Sequence, residues 1–172
     1  MPLNPRRELP RPAIYLDSSV IRSAVSGDMR PRDRAAVCRL AAMVSENLMT
    51  FYAAAGARDE IDRIPPRCRA EYPREYAALQ IFGAAPSGWL DAELVAPLGE
   101  SPEYVTLRRI LGEGCDAPSL FRARVAGVRD VVAAESSIVL ERARELGAQL
   151  ELRVFRPADY LSRWSTQLQL PG

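Results

Sequence analysis

The chain has 172 residues, with 23 arginines set against 22 acids, and it contains neither lysine nor histidine. That length suits one compact domain, and 48% apolar with 26% charged residues lies in the globular range. Without histidine the usual serine and cysteine triads, imidazole metal ligands and histidine acid/base pairs are excluded; without lysine so are Schiff bases, Walker-type phosphate loops and receiver-like aspartate pockets completed by a lysine.

What remains for catalysis is carboxylates, hydroxyls, three thiols and any metal they hold. Cys38, Cys68 and Cys115 are odd in number and lack paired spacing, which suits neither a disulfide framework nor a zinc site and points to a reducing compartment. No apolar run approaches a membrane span, and no signal-peptide pattern follows the arginine- and proline-rich start. The expectation is therefore a cytoplasmic protein without a membrane segment. The net charge of +1 is unevenly spread: residues 1–75 carry 13 Arg against 10 acids, residues 76–172 carry 10 against 12. Any basic surface is local.

In chain order, residues 1–12 read as a flexible tail, and 13–16 as a short apolar strand buried on both faces. Asp17-Ser18-Ser19 follows, and either serine suits the cap of a helix over 20–24, broken by Ser26-Gly27-Asp28. Val37, Leu40, Ala41, Val44 and Leu48 recur at helical spacing, giving an amphipathic helix over 33–47 with arginines on its outer side. A strand is expected over 48–52, a helix over 53–64 stopped by Pro65-Pro66, and another helix over 73–82. Residues 83–99 are turn-rich, with Trp89-Leu90 and Leu94-Val95 as strand or loop candidates. Ser101-Pro102-Glu103 opens a helix to 111, and Asp116 opens one that stops at Gly127. A strand over 128–134, a helix capped by Ser136 or Ser137 and running to 146–147, and a strand over 150–155 complete the pattern. Short apolar strands alternating with helices predict an α/β fold whose parallel sheet is covered on both faces. The ordered domain is placed at 13–165, with a C-terminal tail at 166–172. Trp89 and Trp164 are isolated aromatics, read as core-filling.

In such sheets ligands bind beyond the carboxyl ends of the strands. Asp17 and Glu135 each directly follow an apolar strand run. Glu60 falls on the stripe Ala57, Glu60, Ile61, Ile64, whereas Asp59 is rotated off it towards a solvent pair with Arg63. Asp116 opens its helix above Leu120 and Ala123. Carboxylates on apolar faces are costly unless paired, and two bare charges about 4 Å apart repel by about 4 kcal/mol at an effective dielectric near 20. A divalent cation removes that penalty. Oxygen-only ligation suits Mg²⁺ or Mn²⁺, and the corresponding chemistry is metal-assisted phosphodiester hydrolysis.

These residues resemble the motifs of the PIN domain, the nuclease fold of VapC-type toxins. Ile14-Tyr15-Leu16-Asp17-Ser18-Ser19-Val20-Ile21 resembles the first motif, Glu60-Ile61 the second acid, Asp116 with Leu120 and Ala123 the third, and Val131-Val132-Ala133-Ala134-Glu135 the fourth. Leu152 to Leu161 is similar to the final strand and the proline-led turn into a terminal helix. The resemblance implies a three-layer α/β/α fold with a central parallel sheet of about five short strands. It also implies Mg²⁺- or Mn²⁺-dependent endoribonuclease activity on RNA, an antitoxin protein partner and a homodimer. Asp17, Glu60 and Asp116 would hold the metal, Glu135 would assist, Ser19 would support Asp17 by hydrogen bonding, and Arg22 would bind substrate phosphate. The chain departs from the family in having Glu135 for the usual Asp and Ala133 for a Thr. The region 65–115 is also long for such a toxin, as a clip-like insertion would make it. A rival alignment takes Asp130 as the third acid, but it precedes Val131-Val132 and so falls at the amino end of the strand.

Two further function classes compete. A PIN-like module that has lost catalysis would bind RNA or protein. A haloacid-dehalogenase-type phosphatase also follows a strand with Asp, but needs a second Asp two residues later, where this chain has Ser19.

Overall fold

The computed structural model describes residues 11–85, 89–90, 101–112 and 117–168. Strand β1 (Ala13–Leu16) leads into helices α1 (Ser18–Ala24) and α2 (Pro31–Ser45), then β2 (Thr50–Ala54), α3 (Ala55–Asp62), α4 (Pro66–Glu71) and α5 (Pro73–Ala84). The two-residue strand β3 (Trp89–Leu90), α6 (Pro102–Leu111) and α7 (Ala117–Val125) follow. The chain then forms β4 (Asp130–Val132), α8 (Ile138–Glu141), α9 (Ala143–Leu150), β5 (Arg153–Phe155) and α10 (Pro157–Leu168). Helix α10 extends three residues past the expected domain boundary at 165.

The sheet is parallel throughout, in the order β3-β2-β1-β4-β5. Ile14 stands between Phe51 and Asp130, and Leu16 opposite Val132. Strand side chains alternate between faces, so the central strands feed two cores. Ile14, Leu16, Phe51, Ala53 and Val132 pack with α1, α2, α3, α5 and Tyr160 of α10. Tyr15, Val131 and Ala133 pack with α6, α7 and α9 on the other side. Helices thus cover both faces, as expected for a three-layer arrangement. The Phe51 and Phe82 rings meet edge to face with centroids 5.1 Å apart. Trp164 packs, partly buried, against the first core. No helix among the described residues is long and apolar enough to cross a membrane.

Several boundaries differ from expectation for local reasons. Helix α2 ends with Asn47 at φ 63°, and the Leu48 amide bonds back to Met43 at 2.8 Å, so Leu48 belongs to the turn and β2 starts at Thr50. Pro66 starts α4 rather than ending structure, because proline is tolerated in a first helical turn. The helix expected from Ser137 to 147 is broken at Arg142 into α8 and α9, and α9 continues to Leu150, where Glu151 in the left-handed conformation ends it. Strand β4 is shorter than 128–134, although the Ala133 amide still bonds to Phe155 at 2.9 Å. Asp59 and Arg63 form no side-chain pair; only their backbones meet, at 3.1 Å. Leu94-Val95, Cys115 and Asp116 lie outside the described residues.

Candidate functional site

From β1 the chain proceeds outward through β2 to β3, and only later fills the other side with β4 and β5. The loops after β1 and β4 therefore diverge from adjacent strands, which is the switch point where open α/β sheets bind ligands. Asp17 leaves β1 there, its amide bonding to Val132 of β4 at 2.9 Å. It is also the N-cap of α1 and is only 9% exposed.

Among the described residues every hydrogen bond to the Asp17 side chain falls on Oδ2. The Ser19 amide donates at 3.2 Å, the Ser19 hydroxyl donates as well, and the Ser137 hydroxyl donates at 2.9 Å. Each hydroxyl in turn accepts a backbone amide: Ser19 from Ala134 at 3.1 Å, and Ser137 from Val139 at 3.1 Å as the cap of α8. A serine hydroxyl has one proton, so both protons are committed to Asp17. Asp17 makes no ion pair among the described residues.

Asp17 opens onto a cleft of about 570 Å³ between α1 and the segment that follows β4. Ser19, Arg22, Ser23 and Ser26 stand at i, i+3, i+4 and i+7 along one side, Ser136 and Ser137 on the other, and Asp28 lines it too. Asp28, which the sequence marked only as a helix breaker, accepts from Ser26 Oγ at 2.8 Å.

The other expected site acids are held differently. Glu60 on α3 pairs with Arg22 at 3.2 Å, while its Oε2 is buried without a hydrogen-bond partner among the described residues. Both residues line a neighbouring, more apolar groove with Ile21, Val25, Ile64 and Cys68. Glu135 is 60% exposed and pairs with Arg156 at 2.8 Å and Arg30 at 3.8 Å, in a depression of about 220 Å³ that shares Ser23, Asp28 and Ser136 with the main cleft. Beside it, buried Asp33 accepts from Arg30 at 2.9 Å and from the Ala158 amide at 3.1 Å, tying the start of α2 to the start of α10. Its hydrogen bond and charge hold the Arg30 guanidinium above its ordinary value. Asp130, the rival acid, pairs across the sheet with Arg153 at 2.6 Å at the amino end of β4, away from Asp17.

Thus the structure brings Asp17 together with Ser19, Ser137 and Arg22 around one cleft and sets Glu60 and Glu135 in adjoining depressions. Among the described residues no group of three or more acids or cysteines is close enough to hold a metal ion. Ser137 carried a sequence signal only as a helix cap; its contact with Asp17 spans 120 positions.

Fold and cleft together define a parallel α/β protein with a hydroxyl-lined candidate site at its sheet switch point. Comparison with protein-family models, curated proteins and solved structures gave no match.

Proposed function

We propose that this chain is a Mg²⁺- or Mn²⁺-dependent endoribonuclease of the PIN-like type, its two-residue β3 completing a sheet of about five short strands. The observation that carries the reading is Asp17: a buried carboxylate at the switch point, bonded only by neutral donors, on a cleft that also holds an arginine. A carboxylate so placed suits a cation. Mg²⁺ is commonly held by one or two carboxylates and completed by water and substrate oxygens, and the donors here are all oxygens. Asp17 would hold the ion, and Glu60, whose Oε2 is buried without a hydrogen-bond partner among the described residues, would be the second carboxylate; Asp116 and Glu135 would complete the proposed set. The bound ion would activate water and neutralise charge on the phosphate. Arg22 would then take a phosphate oxygen in exchange for Glu60. In this reading the protein is a cytoplasmic toxin, with RNA as substrate, an antitoxin as partner and a homodimer as its assembly.

The test is cleavage of a mixed RNA pool with Mg²⁺ or Mn²⁺, against EDTA, single-stranded DNA and Asp17→Asn. Metal-dependent RNA cutting that falls at least a hundredfold in the variant is the expected result; equal cutting by the variant would overturn the proposal.

One observation favours a second reading, a catalytically impaired PIN-like module that binds RNA or protein. Glu135 is engaged by two arginines and Glu60 by one, so neither is free of a cationic partner. Metal-independent RNA binding without turnover would select this reading.

A further inference from the structure

Resting on the reading of Asp17 as a cation ligand, we propose that Ser137 is a positioning residue for it: Ser19 and Ser137 together fix Oδ2, so that Oδ1 is delivered to the cleft in one orientation. Three features of the cleft support this. Among the described residues all three hydrogen bonds to the carboxylate converge on one oxygen, and Oδ1 accepts none from them. A carboxylate held only through one oxygen keeps the other for a ligand, and a terminal χ2 torsion that is otherwise broad becomes fixed. The two hydroxyls approach from different parts of the chain, Ser19 from α1 and Ser137 from the cap of α8, so rotation of the carboxylate breaks a contact on either side. Finally, each hydroxyl is itself oriented by an amide of the segment after β4, from Ala134 for Ser19 and from Val139 for Ser137. The geometry of that segment is thereby transmitted to Asp17.

Ser137 has two roles that substitution must separate. It caps α8 and it donates to Asp17. Glycine is nearly as good a cap as serine but carries no hydroxyl, whereas threonine keeps both functions. Outer partners that orient a metal ligand typically contribute tenfold or more to metal affinity.

The experiment is titration of the purified full chain with Mn²⁺, following the free ion by electron paramagnetic resonance, for wild type, Asp17→Asn, Ser137→Gly, Ser137→Ala and Ser137→Thr. Circular dichroism and thermal midpoints are recorded for each. The expected result is that Ser137→Gly and Ser137→Ala weaken Mn²⁺ binding about tenfold, Ser137→Thr stays within about threefold of wild type, and Asp17→Asn abolishes binding. If Asp17→Asn alone loses the ion while folded Ser137→Gly binds like wild type, the positioning role is overturned and the cation site stands. If wild type binds no Mn²⁺, or Asp17→Asn binds it equally, the cation reading itself fails.

Discussion

At the scale of single residues, acids of the same chemistry are put to different uses by what surrounds them. Asp17 is held by hydroxyls, Asp33 by an arginine and a backbone amide, and Glu135 stands exposed between two arginines. The sequence placed Asp17 at a strand end with Ser19 just after it, because a short continuous apolar run ending in Asp-Ser-Ser is a local signal. It did not distinguish the surroundings of Glu60 or Glu135, since the arginines that hold them come from 38 and 21 positions away, as well as from the N-cap of α2. Tyr160 offers a residue-scale test of burial. It is 3% exposed against Phe155, and burial, reinforced by the charge of Asp130, pushes its hydroxyl from the ordinary 10.0 up to about 12. Because the folded value lies above the unfolded one, its contribution to stability is fully present below about pH 10 and is lost as pH rises towards 12. In an ultraviolet difference titration Tyr160→Phe should remove a tyrosinate step near 12 that wild type shows, and it should flatten the alkaline loss of thermal midpoint between those values. A step lost in Tyr160→Phe near the ordinary 10.0 would show that the ring is not desolvated as described.

At the scale of elements, helices and strands whose ends carry glycine, serine or proline signals matched expectation closely: α6 runs from Pro102 to Leu111, with Gly112 at φ 77° ending it. Failures came where a left-handed turn moved an end, as at Leu48 after Asn47, or where a proline pair had two meanings, as at Pro65-Pro66. Gly27 shows how a turn between elements is fixed from outside. Its φ is 82°, and a Cβ added there would lie 2.7 Å from the Tyr72 hydroxyl, whose ring also carries the Arg34 guanidinium 5.1 Å from its centre. Gly27→Ala should therefore cost about 1 kcal/mol for the left-handed backbone and about as much again for displacing Tyr72. For a chain of this length, about 2 kcal/mol lowers the thermal midpoint by about 4–8 °C. In a Tyr72→Phe background the clash is relieved, and the same substitution should cost about half as much in a denaturant-unfolding cycle. Equal costs in both backgrounds would mean that the ring does not approach the turn.

At the scale of the whole molecule, the order β3-β2-β1-β4-β5 could not be read from periodicity, because each strand is short and each looks alike as an apolar run. Once that order is known, the position of Asp17 acquires meaning, since it places the residue at the one point where neighbouring loops diverge. Charge must be read at this scale as well. With a net +1, the molecule has no overall field to draw in a polyanion, and several arginines are already engaged with acids on the surface. On the proposed ribonuclease reading, attraction to RNA would come from a few side chains at the cleft, with Arg22 foremost because it is 63% exposed and its present partner Glu60 is only a single carboxylate. Each phosphate contact on a single strand contributes about 0.7 to the slope of log affinity against log salt. For wild type binding a short single-stranded RNA, the slope should be small, and Arg22→Gln should make it shallower by about 0.7 while weakening binding across sequences alike. Glu60→Gln, which releases Arg22 from its ion pair, should strengthen RNA binding measured without added metal and leave the slope as it is in wild type. Fluorescence anisotropy over a salt series measures both. An Arg22→Gln slope identical to that of wild type would mean that this guanidinium touches no phosphate, and that the charge opposite the RNA lies elsewhere on the chain.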